Sequence, residues 1–244
     1  MTVVTTAGGE RINRFLARRG VASRRASDGL LMAGRVTVNG AVVHPGHLID
    51  VATDVIAVDG RVVPIEEPSR RTVICNKPAG IVSTVRDPQG RPTVLDLIDD
   101  RAGLVPVGRL DADSRGLLLL SSDGDLAFRL THPRHGIEKT YRVRLAVPVN
   151  AQLVRRLAAG IELPDGMAHP IAVRIAGVDE LDIVMGEGRR REVLRMVMAL
   201  DLDVADLQRI AFGSLTLGDL PEGRWRPLTG DELADLRHAA GLTP

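Results

Sequence analysis

The stretch GRLDADSRGLLLLSSDGDLAFRLTHP, residues 108–133, constrains this chain more than any other. A short strand delivers Asp111 to a loop, Gly116 releases the chain from it, and the apolar run Leu117–Leu120 forms a strand that anchors the loop from behind. A carboxylate on a short, rigidly held turn is well placed for chemistry that needs fixed geometry. The four leucines are far too few to span a bilayer. An isolated Arg109-x-Asp111 reads as no more than a loop salt bridge, so the weight falls on the whole string.

Around this stretch the sequence divides into two units. Residues 1–9 read as a short disordered lead. From Glu10, Ile12, Phe15 and Leu16 form a helical apolar stripe that ends at Gly20, and Ser23 is an N-cap for a second helix that stops at Gly34. RVTVNGAVV alternates apolar and polar residues around Asn39-Gly40, a hairpin signal, and a further strand closes at Gly60. The first domain is expected over residues 10–63, a linker over 64–71 and a larger domain over 72–240. In the larger domain strands and helices interleave without a sustained βαβ period. The expected class is α+β, a mainly antiparallel or mixed sheet with flanking helices.

Composition narrows the function. A net charge of +1 over 244 residues predicts no nucleic-acid partner by itself, so any such partner must be argued from local charge. The single cysteine, Cys75, cannot form an intramolecular disulfide, and the N-terminus lacks a basic segment followed by an apolar core; both point to the cytoplasm, with no membrane association. Thirty arginines stand against two lysines, Lys77 and Lys139, which makes the lysines candidates for sites that need a compact ammonium. Between Glu10 and Arg35 seven arginines face two acids. Arg11, Arg14 and Arg18 are spaced to share one helix face. Arg24 and Arg25 sit in a first helical turn, where cations oppose the macrodipole and an external phosphate would relieve them.

Residues 10–63, with their SRR pair and GRVTVNG hairpin, resemble the alpha-L RNA-binding domain found in a small-subunit ribosomal protein and several RNA-modifying enzymes. The 108–133 stretch resembles the signature of the pseudouridine synthases that act on ribosomal RNA. Gly108, Arg109, Leu110, Asp111, Ser114, Gly116 and the four leucines fill every slot. NKPAGIVST with GRPTVLDLI, EKTYRV and EGRRREVLRM resemble the flanking family motifs in order. Overall similarity leans to the large-subunit enzymes, the synthase B group, although the small-subunit enzyme shares the motifs.

The resemblance implies isomerisation of a uridine in ribosomal RNA or a ribosomal subunit precursor by a protein expected to act as a monomer. Asp111 is implied as the catalytic carboxylate and Tyr141 as the aromatic face that holds the detached uracil. The reaction needs no redox change, metal or phosphoryl donor, so no cofactor is expected. Arg109, Lys77 and Lys139 are candidates for RNA contact or loop support, beside Arg11, Arg14, Arg18, Arg24 and Arg25. The family's basic partner of the carboxylate falls at Leu194. Arg195 takes that role with a small shift, or Arg191 reaches in, or the pairing is lost. Two other readings stand beside this one: a non-catalytic RNA-binding or ribosome-assembly protein on the same fold, and a magnesium-dependent phosphatase using DADS (111–114), which lacks the required parallel sheet.

Overall fold

The computed structural model describes residues 9–66 and 69–242. Most of the expected lead and residues 67 and 68 of the expected linker lie outside the described residues. The chain divides after Arg70 into two compact units.

The first unit runs β1 (Glu10–Arg11), α1 (Ile12–Arg18), α2 (Arg24–Met32), β2 (Val36–Val38), β3 (Ala41–Val42), β4 (Leu48–Ile49), β5 (Ile56–Val58) and β6 (Arg61–Val62). The apolar stripe of α1 is buried as its spacing requires, with Ile12, Phe15 and Leu16 against Leu31 of α2, Val36, Ile49 and Ile56. Ser23 caps α2, its Oγ accepting from the Ala26 N–H at 3.2 Å. Asn39 and Gly40 both have positive φ, 51° and 80°, so the β2–β3 connection is the mirror-image turn that an Asn-Gly pair favours. β3, β2, β5 and β6 form an antiparallel sheet, and β1 pairs with β4.

One expectation fails here. Arg11 does not share the helical face of Arg14 and Arg18. Pairing of β1 with β4 keeps its backbone extended and starts the helix one residue later. Arg14 and Arg18 both turn toward Glu10, at 3.7 and 3.0 Å.

The second unit contains β7 (Thr72–Lys77), β8 (Val105–Val107), β9 (Arg115–Ser121), α3 (Gly124–Thr131), β10 (Lys139–Leu145), α4 (Ala151–Ala158), β11 (Ile161–Leu163), β12 (Gly166–Ala168), β13 (Ala172–Ile175), β14 (Glu180–Met185), α5 (Glu192–Met198), β15 (Val204–Phe212), β16 (Leu215–Thr216), β17 (Trp225–Pro227) and α6 (Gly230–Ala239). The class is α+β, as the sequence implies. The main sheet has the order β13-β14-β10-β15-β9-β7-β17, with β8 added to β9 and β16 to β15. Its pairs are antiparallel except β9 with β15. The expected helix around VLDLIDD is a 3₁₀ turn over Val94–Leu97, capped reciprocally by Thr93 and Asp96.

The longest strand, β15, escaped the sequence reading, as did the β11–β12 hairpin. In VADLQRIAF a buried arginine, Arg209, takes an inward position after Leu207, so the alternation that marks a strand is broken. β15 completes the sheet where it matters most. In register, Gly116 lies between Lys77 of β7 and Arg209 of β15, and Arg209 lies beside Tyr141 of β10. These residues form one row on adjacent strands.

Gly116 has φ +107°, and a Cβ there would come within 2.3 Å of the Arg209 carbonyl oxygen and 2.7 Å of its nitrogen. Gly116→Ala therefore forces β9 and β15 apart in addition to straining the backbone. We expect a loss of at least ~2–3 kcal/mol in chemical unfolding; stability within about 0.5 kcal/mol of wild type would contradict this packing.

Candidate active site

Asp111 lies in the connection from β8 to β9, and backbone contacts fix that connection at four points. The Leu110 N–H donates to Ser83 Oγ at 3.1 Å, and the same hydroxyl donates to the Leu110 carbonyl at 2.8 Å. The Gly80 N–H donates to the Ala112 carbonyl at 2.6 Å, and Ser114 N–H to the Asp111 carbonyl at 3.1 Å. Lys77 Nζ donates to the carbonyls of Pro78 and Ile81, both at 2.8 Å, and approaches that of Ala112 at 3.5 Å. From the other side, Arg209 Nε donates to the Leu117 carbonyl at 2.7 Å and Nη1 reaches the Arg109 carbonyl at 3.5 Å. The loop is thus held through the backbone of Arg109, Leu110, Asp111, Ala112 and Ser114. Among the described residues, no cation lies within 4 Å of the Asp111 carboxylate.

That carboxylate lines a pocket of about 240 Å³ together with Arg109, Lys139, Tyr141, Arg209 and Phe212. Tyr141 is half-buried and rooted in two core clusters. Lys139, two residues before it on β10, points to the same face and sits 5.7 Å from the centre of the Phe212 ring. Burial lowers the Lys139 pKa, and the nearby Arg209 charge lowers it further against the pull of Glu192. Met185 and Leu207 supply apolar wall. Arg109 is exposed at the rim and also borders a groove with Arg86 and Arg91.

Arg209 is 2% exposed, and its Nη2 has no hydrogen-bond partner among the described residues. It was missed at the sequence level because one arginine among thirty carries no signal of burial. Ser83 lay inside the NKPAGIVST motif, but nothing in its residue type singled it out.

The structure chooses between the two roles open to Lys77, and it places Arg195 and Arg191 differently from expectation. Lys77 is fully buried at the end of a buried strand, and backbone carbonyls take up its amine. It supports the loop and cannot grip RNA. Arg195 makes a two-pronged ion pair with Asp165 of the β11–β12 connection, at 2.8 and 3.0 Å, and is absent from the pocket wall. The helix turns about 100° per residue, so while Leu194 packs on the core, Arg195 faces the hairpin. Arg191 does reach the wall, from a left-handed backbone conformation, but its guanidinium pairs with Asp113. Arg189 joins Glu187 and Glu192, at 3.0 and 2.8 Å, and pins the turn before α5.

In the first unit, Arg24 and Arg25 are exposed in the first turn of α2, which carries no acid. Among the described residues, no hydrogen bond or ion pair engages the guanidinium of Arg11, Arg24 or Arg25. Asn13 ties α1 to α2 through Asp28 at 2.9 Å, which fixes the helix carrying those two arginines.

Comparison with known proteins gives the class. Residues 71–198 match the RNA pseudouridylate synthase family, and residues 10–56 match the S4 domain. An RNA pseudouridine synthase of Aquifex aeolicus (strain VF5), itself uncharacterised, is 42% identical over 95% of both chains. Ribosomal large subunit pseudouridine synthase B of Vibrio vulnificus (strain CMCP6) is 38% identical over 96% of this chain and 77% of its own. A crystal structure of a pseudouridylate synthase superposes with a TM-score of 0.67 at 32% identity, covering 93% of this chain and 99% of that one. The chain belongs to the RNA pseudouridylate synthase family, whose members are isomerases. Its S4 domain implies RNA binding. No helix among the described residues is long and apolar enough to cross a membrane.

Burial pushes the Lys77 pKa down to about 8, against partial restoration by Asp111 and Glu222. The unfolded lysine titrates near ~10.4. Between these values the unfolded state binds more protons, so stability rises with pH there, while below pH 8 the cost of burying the ammonium is present in full. Lys77→Met should therefore gain most relative to wild type at pH 7.5 and least near pH 10 in urea unfolding, with RNA affinity within about twofold. A pH-independent difference, or a large loss of affinity, would contradict the buried placement.

Proposed function

We propose that this protein converts a uridine of large-subunit ribosomal RNA into pseudouridine, with Asp111 as the catalytic carboxylate. One observation carries the reading: Asp111, on a loop held by the sheet beneath it and with no cation paired to it among the described residues, lines the same small pocket as the only tyrosine of the chain. The name of the Vibrio relative supports the choice of large-subunit RNA.

The chemistry is an isomerisation. The bond from ribose C1′ to uracil N1 breaks, the base turns, and a bond from C1′ to C5 forms. The C5 proton leaves and N1 gains one, so atoms and electrons balance without an outside reagent. The base must leave its stack to reach the pocket. Asp111 acts at the nucleoside, held in place by its fixed loop rather than by a moving one. Tyr141 presents a ring face against which the detached uracil turns, and its hydroxyl lies in reach of a proton at C5. Arg109, at the rim, meets the backbone of the extruded nucleotide. Lys139 adds a cation to the pocket wall. Arg11, Arg24 and Arg25 of the S4 domain bind phosphate, with Arg14 and Arg18 contributing beside them.

Carbodiimide mapping of ribosomal RNA transcripts treated with the protein tests this directly. Wild type should introduce one new reverse-transcription stop in large-subunit RNA, and Asp111→Ala should lower its rate at least ~1000-fold. Arg195→Ala should stay within about threefold of wild type. Replacing Arg24 and Arg25 with glutamine should weaken binding and reduce the slope of affinity against salt by about 2. No stop with wild type would favour a non-catalytic RNA-binding protein. A stop confined to small-subunit RNA would overturn the subunit assignment, and one that survives Asp111→Ala would overturn the catalytic one.

A further inference from the structure

Two of the three phenylalanines, Phe15 and Phe212, are fully buried, whereas Phe128 on α3 is 51% exposed. Its ring is part of an ordered surface cluster. The His132 ring lies 5.2 Å away, tilted by 56°, and His135 meets His132 edge-on at 6.4 Å. The Arg134 guanidinium sits 5.7 Å from the centre of the Phe128 ring, and its Nε donates to His135 Nε2 at 3.0 Å. The segment is closed by local hydrogen bonds. A 3₁₀ turn over Pro133–His135 is capped by His132 Nδ1 accepting from the Arg134 N–H at 3.3 Å, and Gly136 ends it in the left-handed region. The Thr131 hydroxyl closes the last turn of α3 by donating to the Ala127 carbonyl at 2.8 Å.

The cluster is continuous with the pocket. Leu130, Thr131 and Pro133, interleaved with its residues in sequence, form pocket wall beside Arg109 and Asp111. Thr131 packs close to Gly108, at the root of the Asp111 loop. An exposed ring, two imidazoles and a guanidinium therefore alternate in sequence with residues of the pocket wall without being part of that wall.

We infer that Phe128, His132 and Arg134 form a stacking platform for the base of a nucleotide next to the target uridine in the substrate RNA. The inference rests on the proposed activity. Extruding a base leaves its neighbour without a stacking partner. A protein ring at the mouth of the pocket replaces that partner, and single-stranded bases stack on aromatic, histidine and arginine faces irrespective of sequence. Arg134 adds charge complementary to the adjoining phosphate. The pocket recognises what is turned over, and the platform holds what is left behind.

The test uses the Asp111→Ala protein, so that bound RNA stays unmodified, and the ribosomal RNA fragment carrying the mapped uridine. Phe128→Ala and Phe128→Leu should each weaken binding roughly 5- to 100-fold, because leucine keeps the apolar volume and loses the stacking face. In the catalytically active background, kcat at saturating RNA should stay within about twofold. A single abasic nucleotide walked along both flanks of the target should reproduce the loss at one adjacent position with Phe128 present, and should cost nothing further once Phe128 is alanine. Multiplying losses, or wild-type affinity in Phe128→Ala, would overturn the platform. Loss of binding only to assembled ribosomal subunits would overturn it in favour of a protein contact. Should no ribosomal RNA be modified by wild type, the proposed activity fails and the platform is read on a twelve-residue oligouridylate. There, equal affinity of Phe128→Ala and Phe128 proteins overturns it, and a loss of fivefold or more upholds it.

Discussion

One row of residues crosses the sheet beneath Asp111, and the site depends on it. Lys77, Gly116, Arg209 and Tyr141 occupy neighbouring positions on β7, β9, β15 and β10. Gly116 lets β9 and β15 approach so closely that no side chain fits between them. The two buried cations on either side then reach upward to backbone carbonyls of the loop and its supports. The result is a carboxylate whose loop is held from both flanks while, among the described residues, no cation pairs with its oxygens. A loop held by long-range contacts to a sheet keeps its geometry far better than one held by its own turns.

This arrangement is costly. Burying a lysine and an arginine with no ion-paired carboxylate among the described residues costs free energy that backbone carbonyls return only in part, and the lowered Lys77 pKa is one measure of it. The Nη2 of Arg209 is left without any partner among the described residues. Such a site is less stable than an apolar one of the same volume, and the gain is positional: both cations hold the loop through its backbone and leave the Asp111 oxygens unoccupied by them. The expected arginine on α5 would have touched the carboxylate directly. Here Leu194 belongs to the core, Arg195 secures a hairpin, and the cations come from the sheet.

Features written in local chemistry were legible in the sequence. The Asn39-Gly40 turn, the Ser23 cap and the apolar stripe of α1 each follow from rules that span a few residues, and each is present. The Asp111 loop was legible for the same reason, with glycines at both ends and leucines behind. What the sequence could not display was the effect of distant partners. β15 was invisible because its inward position is an arginine. For Lys77 the choice between RNA contact and loop support stayed open because its carbonyl partners are brought to it only by folding. Arg195 and Leu194 are adjacent letters, and only packing decides which of them faces inward. Arg11 left the helix because a strand 37 residues away claims its backbone.

The central claim is that the Asp111 loop is fixed before RNA arrives, by the sheet row beneath it. Hydrogen exchange over residues 108–116 of the free protein tests it most directly, comparing wild type, Arg209→Met and the RNA-bound form. The account predicts that the Leu110 and Ser114 amides of the free wild type are already protected, that RNA adds less than about tenfold, and that Arg209→Met exposes them while β9 beyond Leu117 stays protected. Rapid exchange of this loop in free wild type, with protection appearing only on RNA binding, would contradict it.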